Sequence, residues 1–164
     1  MLRRTLLAAA AALAFTAGTA LADDSKPAIV FDIGGKFDKS FNESMYNGAE
    51  KFKAETGIAY RDFEISNDAQ REQALRKFAE DGNNPIVMAG FSWAAALEKV
   101  AADFPDTKFT IIDMVVEKPN IHSVVFKENE GSYVVGVLAA MASKSKKVGF
   151  VGGMDIPLIR KFGC

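Results

Sequence analysis

Residues 31–43 read FDIGGKFDKSFNE. A short apolar run ends on Asp32, Gly34 and Gly35 follow, and a polar bend leads into Ser40-Phe41-Asn42-Glu43. Ser40 with Glu43 three residues later fits a capping box, in which each side chain satisfies a free amide of the first helical turn. The stretch therefore predicts a strand end, a glycine turn and a helix start. Upstream, Ala28–Asp32 (AIVFD) is the strand. Downstream, Phe41, Met45, Ala49 and Phe52 keep helical spacing until Gly57 stops the helix.

The same beat continues to the end of the chain. IAYRDFEI predicts a second strand, followed by a helix from about Ala69 to Asp81 with Ala74, Leu75, Phe78 and Ala79 on one face and Gly82 beyond it. PIVMAG is strand-like, and Trp93, Leu97, Val100 and Phe104 form a helical stripe. KFTIID follows, then a Pro119-Asn120 turn and IHSVVF. Gly131 to Ala142 is almost wholly apolar, which predicts a helix buried on several sides. VGFVGG predicts a closing strand. Strands alternating with helices imply right-handed βαβ units and a mainly parallel sheet, an α/β fold.

The whole chain has 164 residues, a formal net charge of −1, 49% hydrophobic residues and one cysteine. That length suits one domain with a real core. The charge balance offers no electrostatic case for nucleic acid or an anionic membrane. Residues 1–22 read as a signal peptide: Arg3 and Arg4, an apolar stretch from Leu6 to Phe15, and Ala20-Leu21-Ala22 as the cleavage site. Cleavage after Ala22 takes the net charge to −3. An uncleaved anchor is the competing reading. No cysteine stands at the cleavage site after the apolar stretch, so a freely periplasmic protein is expected. Cys164, the last residue, has no partner within the chain for a disulfide. The ending KKVGFVGGMDIPLIRKFGC reads as a strand, a glycine turn and a helix just begun, as in a truncated chain.

In a parallel sheet, ligands sit beyond the carboxyl ends of the strands. That rule selects Asp32 with Gly34 and Gly35, Gly90-Phe91-Ser92, Asp113, Glu128 to Gly131, and Gly152-Gly153-Met154. Catalysis finds little support there. His122 is the single histidine, so no histidine triad or histidine-rich metal cluster exists. There is no G-x-S-x-G elbow or G-x-x-x-x-G-K-[ST] loop, and DIGGKF breaks the dinucleotide fingerprint. Asp32, Asp38, Asp113 and Asp155 show no spacing that marks an acid/base pair. No metal and no cofactor are expected. A binding site asks for less: Phe41 can stack on a flat ligand, and Asp32 can accept its hydrogen bonds. The structural alternatives are a core position for Phe41 and a turn acceptor for Asp32.

DIGGKFDKSFNESMYNGAEKF resembles the opening of the basic membrane protein family, which includes purine-nucleoside-binding proteins of ABC importers. FPDTKFTIID, VVFKENEGSYVVGVLAA and VGFVGGMDIPLIRKF resemble later blocks in the family's order. The resemblance implies a type I periplasmic-binding-protein fold, with two lobes closing on a ligand. It makes Phe41 one of two aromatics sandwiching the base and Asp32 a polar contact. Phe91 and Ser92 of GFSWA become further cleft positions, and Asp113 a contact or hinge support. Two departures stand out: many members carry a lipid-anchoring cysteine, and members are about twice this long. The reading is therefore residues 23–164 as the N-terminal lobe of a periplasmic solute-binding protein. Its expected partners are a nucleoside-like small molecule and an inner-membrane ABC permease, with no nucleic acid. A sensory ligand-binding domain is the alternative, and an exported enzyme the third.

Overall fold

The computed structural model describes residues 25–163. The predicted signal peptide and Cys164 lie outside the described residues. Five strands alternate with helices: β1 (Ala28–Phe31), α1 (Phe41–Thr56), β2 (Arg61–Glu64), α2 (Gln70–Glu80) and β3 (Ile86–Ala89). After a 3₁₀ turn at Phe91–Trp93 come α3 (Ala94–Asp103), β4 (Phe109–Ile112), β5 (Ile121–Val124), α4 (Glu128–Ala142) and α5 (Pro157–Gly163). The strands form one parallel sheet in the order β2-β1-β3-β4-β5. The α/β parallel sheet expected from the sequence is borne out.

Strand composition follows position. β1 is central and buried throughout, so it reads AIVF without a polar residue. β2 is an edge strand and reads RDFE, all exposed. The register aligns Val30, Met88 and Ile111 in one row across the sheet. That row faces Leu75 and Phe78 of α2, Leu97 and Val100 of α3, and Trp93, which together form the main core. Ile29, Phe31 and Ala89 point to the opposite face and meet Met45 and Ala49 of α1. Strand alternation thus sorts the side chains into two layers.

The chain runs outward from β1 to β2, then crosses back over β1 to reach β3 and continues to β5. Its connections therefore diverge between β1 and β3, the switch point at which parallel sheets open a crevice. The β4–β5 link has no helix. Val116 packs into the core instead, its N–H donates to Ser123 Oγ at 3.1 Å, and buried Asn120 reaches the carbonyls of Ala101, Phe104 and Thr107 at 3.0–3.1 Å.

Three expectations need correction. The helix over 131–142 is not buried: within α4 only Glu128 is, while Tyr133, Val134, Leu138 and Met141 are exposed. It packs against α5 rather than on the sheet. VGFVGG forms no strand among the described residues, because neither sheet edge pairs with it and an unpaired strand has no ladder. The capping box at α1 is only half made. Glu43 does accept from the backbone of this turn, at Lys39 N–H, but the Ser40 side chain makes no cap bond. Asp38 takes that role. The Gly57 stop is as predicted: its φ is 73° and its N–H donates to Lys53 O at 2.9 Å. Among the described residues no helix is long and apolar enough to cross a membrane.

Candidate ligand-binding edge

At the end of β1 the chain turns through Gly34 and Gly35, with φ of 116° and 74°. A Cβ on Gly35 would lie 2.7 Å from Glu64 Oε2, so both the backbone angle and the space call for glycine. Asp38 then starts α1. Its Oδ1 accepts from Ser40 N–H at 2.8 Å and Glu43 N–H at 3.1 Å, and its Oδ2 from Asn42 N–H at 3.3 Å. Burial works to raise this carboxyl, but the Glu43, Ser40 and Asn42 amides together outweigh it and hold it below the usual carboxylate range.

Asn42 joins helix to strand. Only 2% exposed, it accepts from Asp32 N–H at 3.0 Å and donates to Asp32 C=O at 3.1 Å. Both backbone groups of Asp32 are thereby satisfied where the ladder ends. The Asp32 carboxylate is held from another direction. Its Oδ1 accepts from Ile33 N–H at 2.7 Å and from Arg71 Nη2 of α2. Arg71, 7% exposed, also pairs with Asp68 and lies over the Trp93 ring at 5.4 Å. Gly90 approaches the same carboxylate from the β3 exit: at φ 107°, a Cβ there would sit 3.4 Å from Asp32 Oδ2.

Asp113, at the β4 exit, has a left-handed φ of 70°, uncommon outside glycine and asparagine. Its N–H donates to Val124 O at 2.8 Å. Burial first, and the nearby Glu128 charge second, raise its carboxyl above the usual range against the pull of Lys161. Glu128, 8% exposed at the start of α4, pairs with Lys161 Nζ at 2.7 Å. That partner lowers the Glu128 carboxyl, with burial opposing. Lys161 also donates to Phe126 O at 3.2 Å, tying α5 to the end of β5.

Phe41 is 41% exposed and so is not a core residue of the α1 stripe. Its ring is tilted 54° to that of Phe126, with centroids 6.2 Å apart. Both rings line an apolar groove of about 870 Å³ between α1 and the sheet, together with Met45, Phe52, Val87 and Ile112. Ser92 is exposed and lines a separate polar recess of about 360 Å³ with Asp68 and Arg71. Phe91 is half-buried in the 3₁₀ turn. Asp32, Phe91, Ser92 and Asp113 lie at strand exits or the adjoining turns and Phe41 opens α1, but the two concavities include only Phe41 and Ser92 among the five. Asn42 and Arg71 escaped the sequence reading, since a polar residue in a helix start or on a helix face ordinarily signals solvent. The one usable sign was Arg71 lying directly before the Ala74–Leu75 and Phe78–Ala79 face, one turn up. Among the described residues no cluster of three or more His, Cys, Asp or Glu could hold a metal ion.

Residues 26–164 match the family described as ABC transporter substrate-binding protein PnrA-like. The chain belongs to that family. An uncharacterized lipoprotein of Pyrococcus furiosus is 36% identical over 143 residues, which are 84% of this chain and 36% of the relative. The ABC transporter nucleoside-binding protein BmpA of Lactococcus lactis is 33% identical over 144 residues, 85% of this chain and 41% of the relative. Among solved structures, an ABC transporter solute-binding protein of Aeropyrum pernix is 34% identical with a TM-score of 0.73, over 84% of this chain and 40% of that one. This PnrA-like chain therefore spans less than half the length of each of the three. It belongs to a solute-binding family rather than an enzyme family, and the expected basic membrane protein kinship is borne out.

Proposed function

We propose that this chain supplies one wall of the ligand cleft of an ABC importer's solute-binding protein, and that the solute is a purine nucleoside or a related heterocycle. The observation that carries the reading is the pairing of Phe41 and Asp32 through Asn42. The half-exposed ring lies one residue before the asparagine that grips both backbone groups of the carboxylate residue. A flat apolar face and a fixed acceptor on one short segment suit a base with ring or sugar donors. The Lactococcus lactis relative, described as nucleoside-binding, supports the same solute class.

In this reading Asp32, Phe41, Phe91, Ser92 and Asp113 face the solute, and residues 23–164 form the N-terminal lobe. A second lobe closes over it, expels water and presents the closed form to an inner-membrane permease. The protein is exported by residues 1–22 and free in the periplasm, unlike the relatives described as lipoproteins. Calorimetric titration of adenosine, inosine and guanosine, with uridine and a free amino acid as controls, tests this. Purine-selective binding is the expected result. Equal binding of all five, or binding of the amino acid alone, overturns the nucleoside reading.

A further inference from the structure

The Asp32 carboxylate is not a free charge. Arg71 Nη2 and the Ile33 N–H converge on its Oδ1, and Gly90 leaves room beside its Oδ2. Arg71 itself is held at both terminal nitrogens, while its buried Nε has no hydrogen-bond partner among the described residues. Asp68 holds its other terminal nitrogen, the Trp93 ring lies beneath the guanidinium, and the residue is only 7% exposed. A buried, doubly anchored guanidinium defines the direction of the carboxylate it binds, because its donors diverge in a rigid plane. It also neutralises that carboxylate within a partly dehydrated site, where an unpaired charge would be costly.

We infer that Arg71 is the positioning and charge-balancing residue of the candidate site. It occupies one oxygen of Asp32 and leaves the other as a single oriented acceptor, so the site selects a neutral solute with an N–H or O–H donor over a cationic one. The inference rests on the reading of Asp32 as a solute contact. A carboxylate without Arg71 would attract cations of any shape. With Arg71 in place a cationic solute gains little charge attraction at Asp32 and adds a second positive group beside a guanidinium. A neutral heterocycle still gains a full hydrogen bond to Oδ2. Arg71 touches no solute in this arrangement; it acts through Asp32.

Two measurements on Arg71→Met separate this inference from the solute reading. The first needs no solute. Hydrogen exchange at the Ile33 amide, whose acceptor is the anchored Oδ1, should accelerate at least about tenfold, while the Leu75 and Met88 amides in the core hold their rates. Unchanged Ile33 exchange, or acceleration spread equally over the core, overturns Arg71 as the anchor of Asp32. The second is a titration of adenosine against its cationic analogue 1-methyladenosine. Wild-type protein should prefer adenosine, and Arg71→Met should narrow that preference about tenfold, whereas in an Asp32→Asn background the Arg71 change should have no effect. An Arg71 effect of the same size in both backgrounds overturns action through Asp32. If Asp32→Asn alone leaves adenosine affinity intact, the reading of Asp32 as a contact falls, and the charge-selection half of the inference with it. The Ile33 rates still judge the anchor. Should Arg71→Met fail to fold, Arg71→Lys serves for both measurements. Its ammonium is a point charge that lacks the rigid planar fork of the guanidinium, so it fixes the direction of the Asp32 carboxylate less well; intermediate exchange and intermediate selectivity are expected, and wild-type values for both overturn the proposal.

Discussion

Phe41→Ala tests whether that ring serves the solute or the core, and the structure supplies the magnitudes. A fully buried phenylalanine cut to alanine costs about 3–5 kcal/mol of stability. Phe41 is 41% exposed, and its neighbour Phe126 is 48% exposed. Full burial of such a side chain stabilises by about 1.5–3 kcal/mol, so a little over half coverage scales to about 1–2 kcal/mol on the same basis. The tilted contact with Phe126 is partly solvated and adds little to this. At roughly 4 °C per kcal/mol for a domain of this size, the melting temperature should fall by about 4–8 °C. Stacking of a base on an aromatic ring is worth about 1–3 kcal/mol. Adenosine affinity should therefore drop by roughly 5- to 150-fold while the protein remains folded. Urea unfolding beside calorimetric titration measures both quantities. Unchanged affinity in a folded variant refutes the stacking role, and a stability loss of about 4 kcal/mol or more refutes the partial-burial argument.

Other substitutions and conditions give equally direct outcomes. Asp113, its carboxyl raised by burial and then by Glu128, binds a proton more readily folded than unfolded, so stability falls as pH rises from its unfolded value through its folded one. Asp113→Asn should remove that fall and raise stability at pH 7, with the 70° φ tolerated by asparagine; a less stable variant in neutral-pH urea melts counts against the burial cause. Asn42→Ala strips the Asp32 N–H of its partner and leaves the Asp32 carbonyl only the Gly35 N–H at 3.2 Å, and should cost about 1–3 kcal/mol, read by chemical unfolding, with a loss below about 0.5 kcal/mol showing that the link is incidental. Intact mass of exported protein should show Asp23 as its first residue, whereas a retained Met1 or added lipid mass contradicts cleavage after Ala22. Extending the chain to its relatives' full length should tighten adenosine binding at least about a hundredfold, because closure excludes water from both faces of the ligand; equal affinity in the two proteins means this wall carries the site alone.

The fold was largely legible because its signals are local and repeated. Gly57 and Gly82 mark helix ends, Ala74, Leu75, Phe78 and Ala79 share a buried face, and the apolar runs AIVF and IVMA are sheet strands. Legibility fails where a partner decides. VGFVGG has strand composition but no neighbouring strand, and the apolar run in α4 has helix composition but no sheet beneath it. Composition announces what a segment can bury, not what lies there to bury it. The site shows a parallel division. Strand-exit positions such as Asp32 and Asp113 follow from topology, whereas Asn42 and Arg71 are fixed by contacts with Asp32 from 10 and 39 residues away. No periodicity encodes such a pairing. Ser40 misled for a related reason: it has the cap's residue type, but Asp38 is set back far enough to gather three amides.

These long-range ties bear on how a wall of this kind could bind at all. An aromatic on a helix and a carboxylate on a strand recognise one ligand only if their separation is fixed beforehand, since fixing it on binding would consume affinity. In this chain α1 enters the sheet through Asn42, which bonds the backbone of Asp32 in both directions, and the Phe41 Cα is one residue away along the same helical turn. Arg71 sets the Asp32 side chain from α2, on the opposite face of the sheet. Ring and acceptor are therefore referred to the same strand end by two independent elements. Displacing α1 would require breaking both buried Asn42 bonds, and rotating the carboxylate would require unpairing a buried guanidinium. The same tie gives the two readings of Phe41 different consequences. As a groove-lining residue it would tolerate small shifts of α1, whereas as a stacking platform it needs the Asn42 link intact. Asn42→Ala should accordingly weaken adenosine binding by a factor comparable to Phe41→Ala, acting through Asp32. Full affinity in a folded Asn42→Ala protein would show that ring and acceptor need no common anchor.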